Sequence, residues 1–224
     1  MVKKVISLII FVSTLSGLSQ AQEKEWFADI SLQKGVGFET LSINYQYITV
    51  PTSEKIYYHP GGGTGVELGV GYHFLESLSF GIYGTYQLVF IERTDNFGSI
   101  RNHSSAVFNR KTIKGELRYI LLARNADWLK GAFFSAGPDF HFPGKLKRKV
   151  NKKDRPTLNY DKTLGFHVGA GFLFNIDPEK GIDLKTGITF RFADFEATSA
   201  PEDAELEKIS GSGVDFQFGI VKRL

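Results

Sequence analysis

The stretch Leu164-Gly165-Phe166-His167-Val168-Gly169-Ala170-Gly171-Phe172-Leu173-Phe174-Asn175-Ile176 alternates strictly for thirteen residues. One face carries Leu164, Phe166, Val168, Ala170, Phe172, Phe174 and Ile176; the other carries Gly165, His167, Gly169, Gly171, Leu173 and Asn175. A period of two over such a length is the signature of a β-strand with one apolar face, because successive side chains leave a strand on opposite sides. The chain turns at Asp177-Pro178-Glu179-Lys180-Gly181 and repeats the pattern, with Ile182, Leu184, Ile188, Phe190 and Phe192 set against Asp183, Lys185, Gly187, Thr189 and Arg191. The last strand puts Val214, Phe216, Phe218, Ile220 and Leu224 against Asp215, Gln217, Gly219, Val221 and Arg223. Lys222 alone interrupts its apolar face, near an end where a long side chain reaches an interface.

Upstream, residues 65–74 and 78–91 alternate as cleanly, and residues 26–33, 113–122 and 132–142 less so. Pro138 removes a ladder donor from the last of these. The pattern predicts eight strands, with residues 36–50 open as one or two further short ones. The connections alternate in length. Glu76-Ser77, 125–129 and 177–181 are short, whereas 36–63, 94–111, 143–162 and 196–211 are long and polar. Short turns on one side, long loops on the other and an even strand number predict an all-β, eight-stranded antiparallel up-and-down transmembrane β-barrel.

Composition narrows the function classes. The 224 residues contain no Cys, which excludes a disulfide framework, a Cys zinc site, a thiol nucleophile and a lipid-modified Cys. Met1 to Lys4 is a short basic start, Val5 to Leu18 is an apolar stretch, and Ser19-Gln20-Ala21 supplies a small-residue cleavage site. This reads as a secretory signal peptide, residues 1–21, leaving 22–224 as the barrel domain. The net charge of +3 includes Lys3 and Lys4, so the exported chain stands near +1 and its charge does not point to nucleic acid.

A soluble barrel would alternate in the same way with its apolar face inward. Here the other face mixes Gly and small residues with charges of both signs, which suits a narrow lumen filled by its own side chains. Trp26, Tyr72, Phe74, Tyr119, Trp128, Phe174 and Phe192 fall near strand ends, where aromatic girdles sit. In these features, and in a chain that ends within Asp215-Phe216-Gln217-Phe218-Gly219-Ile220-Val221-Lys222-Arg223-Leu224, the sequence resembles the outer-membrane β-barrel domain family, the small OmpA/OmpX-like and PorT-like barrels of Gram-negative bacteria. The resemblance implies export to the outer membrane, insertion by the barrel-assembly machinery, a monomer, no cofactor and contact with outer-membrane lipid. Leu224 stands where the family's assembly signal commonly ends in an aromatic residue.

Two groups of residues are candidates for function. The first is a charged belt in the lumen: Glu67, Glu116, Asp139, His167, Arg191 and Asp215 lie at one height above the short turns, with Arg118 one inward position below. Lumen positions as a whole carry the acids Asp29, Glu67, Glu116, Asp139, Asp183 and Asp215 and the bases Lys114, Arg118, Lys185, Arg191 and Arg223, a near balance expected of buried charge. Pairing Ile176 with Ile182 would set His167 opposite Arg191. The second group is the basic loop Lys145, Lys147, Arg148, Lys149, Lys152, Lys153 and Arg155, which would attract lipopolysaccharide phosphates or the acidic loop Glu202, Asp203, Glu205 and Glu207.

The favoured reading is a non-enzymatic barrel with a plugged, charge-paired lumen and structural, adhesive or lipopolysaccharide-contact loops. A narrow gated channel, a lipid-modifying enzyme and a soluble lipid-binding barrel are the alternatives. For the enzyme, His103-Ser104-Ser105 with Glu92 and Asp95, and His59, are the available groups, at a spacing too generic to assign a catalytic residue. No metal site is read, and Gly61-Gly62-Gly63 is not a phosphate loop, since no Lys-Ser/Thr pair follows.

Overall fold

The computed structural model describes residues 25–39, 41–45, 54–97, 100–123, 127–150, 153–154, 156–198 and 208–224, with the backbone alone for 41–45, 54–58, 91–97, 100–104 and 150. The signal-peptide reading of residues 1–21 lies outside them.

Eight strands form the barrel: β1 (Glu25–Gly37), β2 (Gly63–Leu75), β3 (Leu78–Phe97), β4 (Ile100–Leu122), β5 (Leu129–Pro143), β6 (Thr163–Asp177), β7 (Ile182–Phe192) and β8 (Gly213–Arg223). Each pairs antiparallel with its neighbours in the chain, and β8 closes on β1 from Phe27↔Arg223 to Gly37↔Gly213. Closure leaves no strand edge, which a lipid-exposed sheet requires. At the turn end, Asp177 accepts from the Lys180 side chain at 2.9 Å and its backbone N–H at 3.1 Å, and these bonds hold its carboxyl below the usual range. Gly181 follows at φ 65°, a left-handed position that suits glycine.

The apolar faces point outward. Leu32, Leu68, Leu164, Phe166, Phe216 and Phe218 are among the large apolar side chains left exposed, Leu164 at 70%. Trp26 meets Tyr72 at a tilt (5.2 Å between centroids) and Trp128 stacks on Phe174 (5.9 Å) at the turn end. Phe166 lies on Phe192 (4.7 Å) and Phe140 on Phe142 (4.9 Å) at the other. From Trp26 to Phe38 β1 climbs roughly 40 Å, about 30 Å along the axis of a barrel whose strands tilt by ~40°. That height matches a bilayer's apolar core, so the exterior is a lipid-facing surface between two aromatic girdles. The soluble lipid-binding barrel is thereby overturned.

The structure departs from the sequence reading above the upper girdle. Residues 94–111, expected as a polar loop, continue the ladder: β3 and β4 stay paired up to Phe97↔Ile100. Within 143–162, Lys145–Val150 pairs with β4 and with Leu158–Asn159 and Lys153–Asp154. Asp194–Glu196 pairs with Lys208–Ser210, and Leu41–Tyr45, the added strand left open for 36–50, pairs with Glu54–Tyr58 outside the barrel. A single phase of alternation fails as a guide here because a ladder that leaves lipid for water turns its apolar side from the outside to the inside. These extensions bury Val89, Ala106, Phe108, Leu146, Leu158, Tyr160, Ala193, Phe195 and Ile209 in an apolar cluster, and burial pushes the Tyr160 hydroxyl up to about 12.

Pro138 acts as its chemistry requires. The β4–β5 ladder runs to Lys114↔Asp139, skips the pairs around Pro138, and resumes at Leu117↔Ala136 in the same register.

Candidate functional site: an ion-paired lumen

The interior is built in layers. Nearest the turns, Phe27, Tyr83, Ile120, Phe133, Leu173 and Val221 form an apolar floor. Glycines opposite make room for its rings: a Cβ on Gly69 would sit 2.1 Å from Tyr83, and one on Gly71 2.2 Å from Phe27. This explains why the inward face of β2 is so rich in glycine. Arg118 lies on the floor, with its guanidinium carbon 5.0 Å from the Phe133 ring centre and 5.7 Å from that of Phe27.

Above the floor the charges interlock across β1, β2, β4 and β7. Lys185 Nζ meets Asp29 Oδ2 at 2.6 Å and Glu67 Oε1 at 3.6 Å. Lys114 Nζ meets Glu67 Oε2 at 2.7 Å and Glu116 Oε2 at 3.8 Å. Arg118 donates to Glu116 Oε1 from Nε (3.0 Å) and Nη2 (2.8 Å), and also to Asp29 (3.3 Å) and the Tyr83 hydroxyl (2.9 Å). Gln33 and Thr85 donate to Glu67, and Ser31 to Asp29, so the carboxylates are held by several donors at once. His167 bridges to β5: Nδ1 lies 2.7 Å from Asp139 and Nε2 3.6 Å from Glu116. His141 stands 3.8 Å from Asp139 and 2.8 Å from the Thr112 hydroxyl.

A third layer closes the mouth. Arg191 pairs with Asp215 and donates to the Gly61 carbonyl at 2.6 Å. Gln87 donates to Asp215 at 2.9 Å, and Arg110 bonds Gln87 and the Gly211 carbonyl. The glycine run at 61–63 therefore folds over the lumen; a Cβ on Gly61 would lie 1.9 Å from the Ser212 carbonyl oxygen. Between this layer and the belt, among Gln33, Thr112, Lys114, Asp139 and Thr189, remains a void of about 10 Å³, room for about one water.

All seven residues of the sequence-derived belt are buried in the lumen, but they occupy two levels. Glu67, Glu116, Arg118, Asp139 and His167 join one network, while Arg191 and Asp215 belong to the mouth. His167 does face Arg191 across β6 and β7, although the turn pairs Ile182 with Asp177 and takes up the extra residue as a bulge. The two do not bond; each takes a carboxylate from its other neighbouring strand. Asp29, Lys114 and Lys185, recognised as lumen charges but left out of the belt, are central to it. Lys185 faces Gly219 of β8, which in turn faces Ser31, so lysine from β7 reaches Asp29 of β1 past a residue without a side chain.

The basic loop is less of a unit. Lys145, Lys147, Lys149 and Lys153 are exposed, but Arg148 faces inward and is buried, because it occupies an inward position of the strand Lys145–Val150. Lys149 pairs with Asp154 at 3.3 Å. Lys152, Arg155 and the acidic partners at 202–207 lie outside the described residues. Two lysines that the loop reading missed stand beside it. In β4 and just before β6, Lys111 and Lys162 flank Phe142 on the outer surface: Lys111 is paired with Phe142, and Lys162 Nζ lies 5.5 Å from its ring centre. Of the suggested catalytic groups, His103 lies opposite Thr94 and Ser105 opposite Glu92 on the β3–β4 extension. His59 Nδ1 is 3.1 Å from the Glu39 carbonyl oxygen.

No family model and no curated protein sequence matches the chain. Solved structures similar to it include two small outer-membrane proteins. The outer membrane protein OprG from Pseudomonas aeruginosa aligns over 92% of this chain and 99% of its own, with a TM-score of 0.56 and 10% identity. Neisserial surface protein A aligns over 91% of this chain and all of its own, with a TM-score of 0.53 and 11% identity. At such identities the likeness is one of fold. Together with the lipid-facing exterior, it gives this chain the fold of a small transmembrane β-barrel of the kind seen in those outer-membrane proteins.

Proposed function

We propose that the protein is a non-conducting, non-enzymatic scaffold of the outer membrane, whose rigid lumen anchors an extracellular β-extension. The observation that carries this reading is the filled interior: an apolar floor, an interlocked charge belt and a bonded mouth follow one another, and the void between belt and mouth has room for about one water. A gated channel would need belt and mouth to open together. An inserted barrel is expected to pass no discrete current.

A second observation supports lipopolysaccharide contact. Lys111 and Lys162 flank the girdle residue Phe142, with the exposed Lys145 and Lys147 on the strand beyond, so ammonium groups stand beside the upper girdle, the level at which headgroup phosphates are expected. Such groups make charge-assisted bonds to phosphate. Replacing Lys111 and Lys162 together by Gln is expected to weaken lipopolysaccharide binding by about tenfold or more, at roughly 1 kcal/mol per lysine. Binding of labelled lipopolysaccharide to the barrel in detergent, at two salt concentrations, measures this; equal affinity for parent and double variant would exclude the edge as the site.

A further inference from the structure

The lipid-facing surface has one place where relief and charge coincide. Near the turn end, Lys222 of β8 is opposite Ala28 of β1, Ala28 is opposite Val70 of β2, and Val70 is opposite Ile82 of β3. Ala28 is small, and its neighbours Ile30 and Leu68 above and Trp26 and Tyr72 below are large. The surface is therefore recessed at Ala28, between Val70 and Lys222. Two adjoining apolar hollows of about 430 and 460 Å³ share Val70 and Ile82, the first bordered by Lys222 and the second by Trp26 and Phe74.

Lys222 is exposed on an outward face that it shares with Phe216, Phe218, Ile220 and Leu224. It makes no ion pair with any described residue. An ammonium on an otherwise apolar lipid face is costly unless it reaches the interface and finds an anion. Its row lies one outward step above the girdle pair Trp26 and Tyr72, so its stem spans the distance to the headgroups of the leaflet at the turn end. The anion at that depth is a phosphodiester.

We propose that this trough and Lys222 bind one phospholipid of the periplasmic leaflet, with an acyl chain lying over Ala28, Val70 and Ile82 and the headgroup phosphate on the Lys222 ammonium. The site is distinct from the lysine edge at the opposite girdle. It uses shape for the chain and charge for the head.

The protein extracted from membranes in mild non-ionic detergent and titrated with phosphatidylglycerol, read by native mass spectrometry, tests this. The parent should retain a single phospholipid. Lys222→Gln should lower retention about fivefold, the equivalent of ~1 kcal/mol for one interfacial lysine, and Lys222→Arg should restore it. Ala28→Phe, which fills the trough while leaving Lys222 in place, should also release the lipid. Both positions face outward, so the heat-shifted gel mobility of the folded barrel should persist. A parent that retains no phospholipid, or retention unchanged in Lys222→Gln or in Ala28→Phe, overturns the proposal.

Discussion

Asp29→Ala is expected to lower the unfolding free energy of the refolded barrel by about 3–5 kcal/mol, the cost of stranding buried charge. Asp29 is 3% exposed and holds Lys185 at 2.6 Å, Arg118 at 3.3 Å and the Ser31 hydroxyl at 2.8 Å. Its removal would leave Lys185 with only the longer contact to Glu67. Arg118 would keep Glu116, so the larger share of the loss should come from the lysine. The double replacement Asp29→Ala with Lys185→Met should recover part of it, because deleting both members of a buried pair costs less than deleting one. Urea titration in micelles followed by tryptophan fluorescence measures this. A loss below about 1 kcal/mol for the single variant would mean that the belt is hydrated.

Tyr83→Ala should cost a similar amount by a different route. The Tyr83 ring is 1% exposed and fills the space left by Gly69 and Gly81, while its hydroxyl accepts from Arg118 at 2.9 Å. Truncation removes the largest fully buried side chain among the described residues and opens a cavity at the junction of floor and belt, for about 3–5 kcal/mol. Tyr83→Phe keeps the ring and loses one of several acceptors around Arg118, for about 1 kcal/mol. The same titration distinguishes them; equal losses would assign the residue's contribution to the hydroxyl and not to packing.

Much of this architecture was legible in the alternation. The same parity that set Phe166 and Val168 outward set His167 and Leu173 inward, and every charge of the belt was at a position the pattern had put inside, whereas Arg110 of the mouth fell in a stretch read as loop. Two things were not legible. Heights read by counting from the turns ignore strand stagger, which is why Arg191 and Asp215 ended one layer above Glu116 and why Lys185 and Asp29, far apart in sequence, became partners. The second is a change of side. Within the bilayer β4 is polar inward at Thr112, Lys114, Glu116 and Arg118, yet above it the inward residues become Phe108 and Ala106 while Lys111 faces out. The reason is the surroundings: once a strand leaves lipid for water, its apolar side must turn from the outside to the inside. One phase carried along the whole strand therefore reads the upper part of the chain as loop, and it misses Lys111 and Lys162.

Floor, belt and mouth are held by different interactions, so losing one should not open a path through the other two. Single-channel recording of refolded residues 22–224 in planar bilayers, with insertion verified by protease protection and Arg191→Ala recorded beside the parent, tests this most directly. The proposed non-conducting lumen predicts a silent bilayer for both proteins; discrete, reproducible current steps from the parent would contradict it.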